Sequence, residues 1–125
     1  MVKTFLLLGS LNGFLAVALG AFAAHGLKSR LSDYLLGVFQ TGVQYEMIHA
    51  IALILVAILS KWYPDSTYLV WAGWSFFAGI IFFSGSLYAL ALSNVRVLGA
   101  ITPIGGVLFL LGWIMLAIHG WKSVA

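Results

Sequence analysis

The stretch STYLVWAGWSFFAGIIFFSGSLYALALSNV, Ser66 to Val95, lies between Asp65 and Arg96 and holds 30 residues without a formal charge. About 20 apolar residues let a helix cross roughly 30 Å of hydrocarbon. The run is continuously apolar rather than alternating, so it reads as a helix and not as a strand. Two more gaps match it: 24 uncharged residues separate Lys3 from Lys28, and 25 separate Arg96 from Lys122. A fourth run, about Phe39 to Ser60, is long enough but is interrupted by Glu46. The pattern predicts transmembrane helices over 4–25, 39–61, 67–92 and 98–120. The fold class is an all-α membrane protein, a four-helix transmembrane bundle forming one integral membrane domain over residues 1–125. Four strands could not close a barrel, which needs about eight.

Composition agrees. The chain is 63% hydrophobic and 7% charged, with a mean hydropathy of +1.11. Soluble domains run near a quarter charged, and a short chain has too little interior to hide this much apolar surface. Soluble globular, disordered and nucleic-acid-binding classes are excluded, because the six Lys and Arg residues are scattered and form no phosphate-tracking stripe. The absence of Cys excludes disulfides, thiolate nucleophiles and Cys-based metal sites. Lys3, the apolar run after it and Ala21-Phe22-Ala23 outline a signal peptide, but the run is too long for one, so the segment is expected to stay on. With four spans, Lys3, Lys61 and Lys122 share one side and Lys28, Arg30 and Arg96 the other, so the positive-inside rule selects no orientation.

Punctuation supports these boundaries. Gly26 can end the first helix, Pro64-Asp65-Ser66 makes a turn, and Ser93-Asn94 begins a short link. Trp62, Tyr63, Tyr68, Trp71 and Trp74 gather around the second loop, with Trp113 and Trp121 towards the C-terminus; all read as a headgroup-level belt. Between helices 1 and 2, Leu27, Leu31, Tyr34, Leu35 and Val38 fall on one helical face, with Lys28, Ser29, Arg30, Ser32 and Asp33 opposite. This predicts a short amphipathic segment lying in the interface plane.

Helix association in lipid depends on close backbone approach and interhelical polar contacts. Gly9, Gly13 and Gly20 form a ridge with Ala16 and Ala24 in the first helix, and Gly79 recurs with Ser75 and Ser86 in the third. In the fourth, Gly99 with Gly106, and Gly105 with Gly112, recur at seven. These glycines read as packing positions. Thr102-Pro103 allows two readings. Either the fourth helix starts there with Thr102 as cap, or a longer helix is kinked at Pro103 with the Gly99 carbonyl left free.

The second helix carries the costly polar groups. With a start near Phe39, Glu46 lies roughly 10 Å and His49 roughly 15 Å along the axis, with Tyr45 on the side of His49. An intramembrane carboxylate wants a partner. Gln40 and Gln44 point nearly the opposite way, which predicts neighbours on both flanks. His25 ends the first helix at the membrane surface where the second begins, and His119 lies at the other surface. Three readings compete for Tyr45, Glu46 and His49: a hydrogen-bonded cluster locking helices together, a proton- or substrate-coupled site, and a metal or haem site. The structural one leads. Glu-x-x-His matches half of a di-metal bundle, but that design needs several glutamates. Asp33 and Asp65 lie in predicted connections, which removes a Ser-His-Asp hydrolase. No catalytic residues, metal or cofactor are expected, and an enzyme is the weakest class.

Several strings together resemble one family: Gly20-Ala21-Phe22-Ala23-Ala24-His25-Gly26-Leu27, Thr41-Gly42-Val43-Gln44-Tyr45, His49-Ala50, Phe83-Ser84-Gly85-Ser86-Leu87-Tyr88 and Leu98-Gly99-Ala100-Ile101-Thr102-Pro103-Ile104-Gly105-Gly106. They look like the YgdD/YwdK-like family of small bacterial membrane proteins, domain of unknown function 423. The resemblance covers nearly the whole chain and implies a four-helix inner-membrane protein without an assigned reaction. It marks His25, Tyr45, His49, Ser84, Ser86, Tyr88, Thr102 and Pro103. Members look like Tyr-His-x-x-His where this chain has Tyr45-Glu46-Met47-Ile48-His49, which argues against an obligatory metal ligand at either position.

The leading expectation is a non-enzymatic, multi-pass protein of the cell membrane that supports membrane organisation or integrity through self-association and contacts with lipid and protein. Small-residue ridges beyond what one chain obviously consumes motivate the homo-oligomer. The alternative is a minimal transporter or channel with Glu46 and His49 as a coupling or substrate site. Small four-helix drug exporters and fluoride channels resemble it in size only.

Overall fold

The computed structural model describes residues 1–124. Four helices long and apolar enough to cross a membrane make up almost the whole of it: α1 (Val2–Leu27), α2 (Asp33–Trp62), α3 (Thr67–Ser93) and α4 (Arg96–Ser123). Short connections make successive helices antiparallel neighbours. Helix α2 packs against both α1 and α3, and α4 packs on α3, so the central pair is the more buried and α1 and α4 flank it.

Local chemistry sets the ends. Ser32 and Ser66 cap α2 and α3, their Oγ atoms accepting from the Leu35 and Leu69 amides at 3.2 and 3.4 Å. Asn94 ends α3 in the left-handed region at φ 55, and its N–H donates to the Leu90 carbonyl at 2.7 Å.

Each helix extends past its sequence-predicted bounds, and the separate interfacial segment does not exist. Residues 28–32 form the turn, and Asp33 onward belongs to α2. No proline separates Asp33 from Phe39, and the single Gly37 does not interrupt the helix that Ser32 caps, so it runs on. The apolar face of this stretch has also found a partner. Leu31, Leu36 and Val38 pack around buried Ala23, Leu27, Phe39 and Ala91, closing one end of the bundle. At the same end the Arg96 guanidinium lies 5.1 Å over the Tyr34 ring. The main core is Phe5, Leu53, Val56, Leu69, Phe76, Ile80 and Phe109, drawn from all four helices.

Two irregularities matter for the site. Residues Ile80–Ser84 form a π-helical turn inside α3, and Arg96–Ala100 form a 3-10 turn that leads into the regular part of α4. Pro103 sits in the first α-helical turn, where its missing N–H costs nothing, so no kinked mid-helix carbonyl arises. Thr102 is not the cap; its hydroxyl meets the Ser86 hydroxyl at 2.6 Å and ties α4 to α3.

The glycines are consumed within the chain. A Cβ at Gly9 would lie 2.8 Å from the Ala50 carbonyl oxygen, so only glycine lets α1 approach α2 this closely. Gly20 faces Val43, and Gly13 lies more loosely over Ala50. Gly79 accommodates the Phe109 ring, Gly112 the Phe76 ring, and Gly99 the Leu90 side chain. A Cβ at Gly105 would collide with the backbone of Phe83 at the π-turn, whereas Gly106 only grazes the Phe83 ring. The ridges therefore supply no surplus surface for a second copy.

Candidate functional site

Glu46 lies near the middle of α2, about 20 Å along the axis from Asp33 and about 22 Å from Lys61. Starting the helix at Asp33 rather than Phe39 doubles the distance expected from its start. The side chain is only 3% exposed, and Oε1 accepts from the Tyr88 hydroxyl at 2.7 Å. The π-turn sets up this pairing. It aims Ser84 Oγ at α2, where it donates to the Gly42 carbonyl at 2.7 Å. Tyr88, one turn on, then runs beside Gly42 and Phe39 to reach the carboxyl. Single π-turns inside α-helices recur at functional sites because the extra residue re-aims side chains.

The second carboxyl oxygen has no partner among the described residues and opens on a groove of about 320 Å³ between α1, α2 and α3. Asn12, Leu15 and Leu19 of α1, Ile80, Ile81, Gly85 and Tyr88 of α3, and Glu46 line it. Asn12 is buried at one end, its amide nitrogen donating to the Leu8 carbonyl at 2.8 Å. Leu15 and Ile81 are exposed rims, so the groove opens sideways, where lipid tails would lie.

His49 belongs to a different place. It is 3 residues from Glu46, but its ring is bonded to α4 and packed between α4 and Phe76 of α3, away from Tyr88. Nδ1 donates to the Tyr45 carbonyl at 2.8 Å, and Nε2 accepts from the Trp113 indole at 3.1 Å. A carbonyl can only accept and an indole can only donate, so the ring is the Nδ1–H tautomer with both nitrogens engaged. Its face lies on Phe109 at 3.6 Å between centroids, and Phe76 closes another side. The Tyr45 ring packs on Phe83. This is a packed hydrogen-bonded core element. The expected single Tyr45–Glu46–His49 cluster is thus divided in two.

The other candidates scatter. Gln40 and Gln44 are exposed on the outward face of α2 and make no contact with Glu46. His25 is exposed at the end of α1. Pro103 is exposed and structural. At the far end of the bundle, His119 is 1% exposed, with Nδ1 2.8 Å from Ser66 Oγ and the ring edge-on to Tyr63. Its Nε2 and the Ser60 hydroxyl are the two buried polar side-chain atoms without a partner among the described residues.

Two residues escaped the sequence reading. Asn12 is the lone amide inside the first apolar run, and that isolation was the available signal. Trp113 was grouped with the belt, yet it lies in the interior of α4, some 15 Å from Pro103. That is too deep for the headgroup region.

Comparison with known proteins agrees with a membrane protein. The family model described as "Protein of unknown function (DUF423)" matches residues 19–106. A UPF0382 membrane protein of Staphylococcus aureus (strain bovine RF122 / ET3-1) is 52% identical over 121 residues, covering 97% of this chain and 98% of its own. The UPF0382 membrane protein YwdK of Bacillus subtilis (strain 168) is 50% identical with the same coverage of both chains. No solved structure matches. The chain is a four-helix membrane protein that belongs to the DUF423 family.

Proposed function

We propose that the protein catalyses no reaction and supports the organisation or integrity of the cell membrane by self-association and by contacts with lipid and protein. The glycine ridges no longer support this reading. The observation that carries it is Gln44. Its amide lies on the outward face of α2 without a hydrogen bond among the described residues, in line with exposed Thr41, Ile48, Ile51, Leu55 and Ile58. Their spacing alternates threes and fours, the seam of a left-handed helix pair. Hydrocarbon offers an amide no partner, whereas the Gln44 of a second copy does.

Because the chain has no Cys, single cysteines can be placed on the seam without interference. Ile48→Cys and Ile51→Cys are expected to cross-link in native membranes, and Gln44→Leu to weaken that cross-linking. A species that stays monomeric across mild detergents and nanodiscs, with no cross-link, overturns the self-association. Cells lacking the protein are expected to admit more of a membrane-impermeant dye; unchanged permeability overturns the integrity role.

A second reading, a minimal transporter or channel, is favoured by the groove at Glu46. His49, sealed by its neighbours, no longer belongs to it. Flux through reconstituted protein that survives Glu46→Gln intact would remove this reading.

A further inference from the structure

We propose that the groove between α1, α2 and α3 binds a lipophilic ammonium compound, which enters from the bilayer and places its charged nitrogen against Glu46. The inference does not require self-association, because the Gln44 seam lies on the opposite face of α2. It shares the Glu46 site with the transport reading but needs only binding, not passage.

Three observations carry it. The first is charge. Glu46 is the chain's one glutamate, and the six Lys and Arg residues all lie in the end turns or the connections. Both nitrogens of His49 are engaged elsewhere, and His25 and His119 sit at opposite ends of the bundle. Among the described residues, the only side chain bonded to the carboxyl is the neutral Tyr88 hydroxyl, and no cation meets it. When Glu46 is ionised, its matching charge therefore comes from outside the chain.

The second is directionality. Tyr88 occupies Oε1, which holds the carboxyl in place and leaves Oε2 facing the groove. An ammonium N–H donates to a carboxylate oxygen in a charge-assisted bond, the stronger kind. A carboxylate or sulfate headgroup would meet like charge there, and an alcohol would bring a donor without the countercharge.

The third is shape. Beyond Glu46 the groove is walled by Leu15, Leu19, Ile80 and Ile81, with about 320 Å³ of space. Its rim opens sideways at Leu15 and Ile81 rather than towards either aqueous end. Such a site takes an apolar tail beside a charged head, and a hydrophilic amine such as methylamine would gain nothing from the walls.

The experiment uses the full chain in nanodiscs. N,N′-dicyclohexylcarbodiimide, a lipid-soluble carboxyl reagent, is expected to modify Glu46, read by mass spectrometry of the peptide. N,N-dimethyldodecylamine, whose tertiary nitrogen carries an N–H when protonated but cannot form an amide with the activated carboxyl, should slow that modification about tenfold, while dodecanol and dodecyl sulfate at equal mole fraction should not. N,N-dimethyldodecylamine should also raise the thermal midpoint of the wild type and leave that of Glu46→Gln unmoved. Leu15→Trp, a rim substitution that leaves the carboxyl intact, should close the groove and abolish both labelling and protection in a protein that still folds. No adduct at Glu46 shows that the groove is shut to lipid and overturns the proposal. Equal protection by dodecanol shows apolar filling without charge recognition and overturns it as well. Binding that passes these tests without flux would end the transport reading and leave the site standing.

Discussion

The His49 imidazole lies face to face with the Phe109 ring, 3.6 Å between centroids and 7° from parallel, while Trp113 donates to its free nitrogen. This sandwich joins α2 to α4, two helices that otherwise meet mainly through α3. It turns a polar residue that looked functional into an element of the core.

Trp113→Phe preserves the packing against Phe76 and His49 but leaves His49 Nε2 without a donor. It is expected to lower stability by about 1–2 kcal/mol. Unfolding of the purified protein in detergent, followed by circular dichroism, measures this. A variant as stable as the wild type would show that the indole bond contributes nothing.

Glu46 and Tyr88 are expected to be coupled. Glu46→Leu, Tyr88→Phe and the double variant form a cycle whose interaction energy should be about 0.5–1.5 kcal/mol, since each single change removes the same 2.7 Å bond. Additive effects would mean that the carboxyl is held by its surroundings and not by the phenol.

Neighbouring glycines should behave oppositely. Gly105→Ala forces a methyl into the Phe83 backbone and is expected to cost about 2–3 kcal/mol or to block folding. Gly106→Ala would meet the Phe83 ring only at 4.0 Å and should be neutral or stabilising, because alanine is favoured over glycine in a helix by about 1 kcal/mol. Expression level and thermal midpoint in the same detergent separate the two, and equal losses would contradict the close approach at Gly105.

The two serine caps should differ as well. Ser32→Ala removes only an exposed cap on α2, worth about 1 kcal/mol. Ser66→Ala removes the cap of α3 and also the partner of buried His119, so its loss should be clearly larger. Thermal midpoints of the two variants in one detergent test the order, and a reversed order would deny His119 its anchoring role.

The Ser66–Val95 run and the charge gaps around it were enough to read four membrane-crossing helices, because the length of an uncharged apolar run is a one-dimensional quantity. The stretch over 27–39 misled for the same reason. Its amphipathic pattern is real, but periodicity cannot say whether an apolar face meets headgroups or, as with Leu31 and Val38, the end of the bundle.

Glu46 and His49 stood out in the sequence because polar groups are costly in hydrocarbon wherever they point, whereas Ser84 and Tyr88 were marked by the resemblance to the family. Which of them belong together was a matter for the tertiary structure. Glu46 and His49 sit 3 residues apart yet bond to side chains of different helices, and Glu46 finds Tyr88 42 residues away, which the π-turn of α3 brings alongside. Burial cost is carried by each residue alone, whereas partnership depends on how helices rotate and slide against one another, and that is settled only when all their surfaces pack at once.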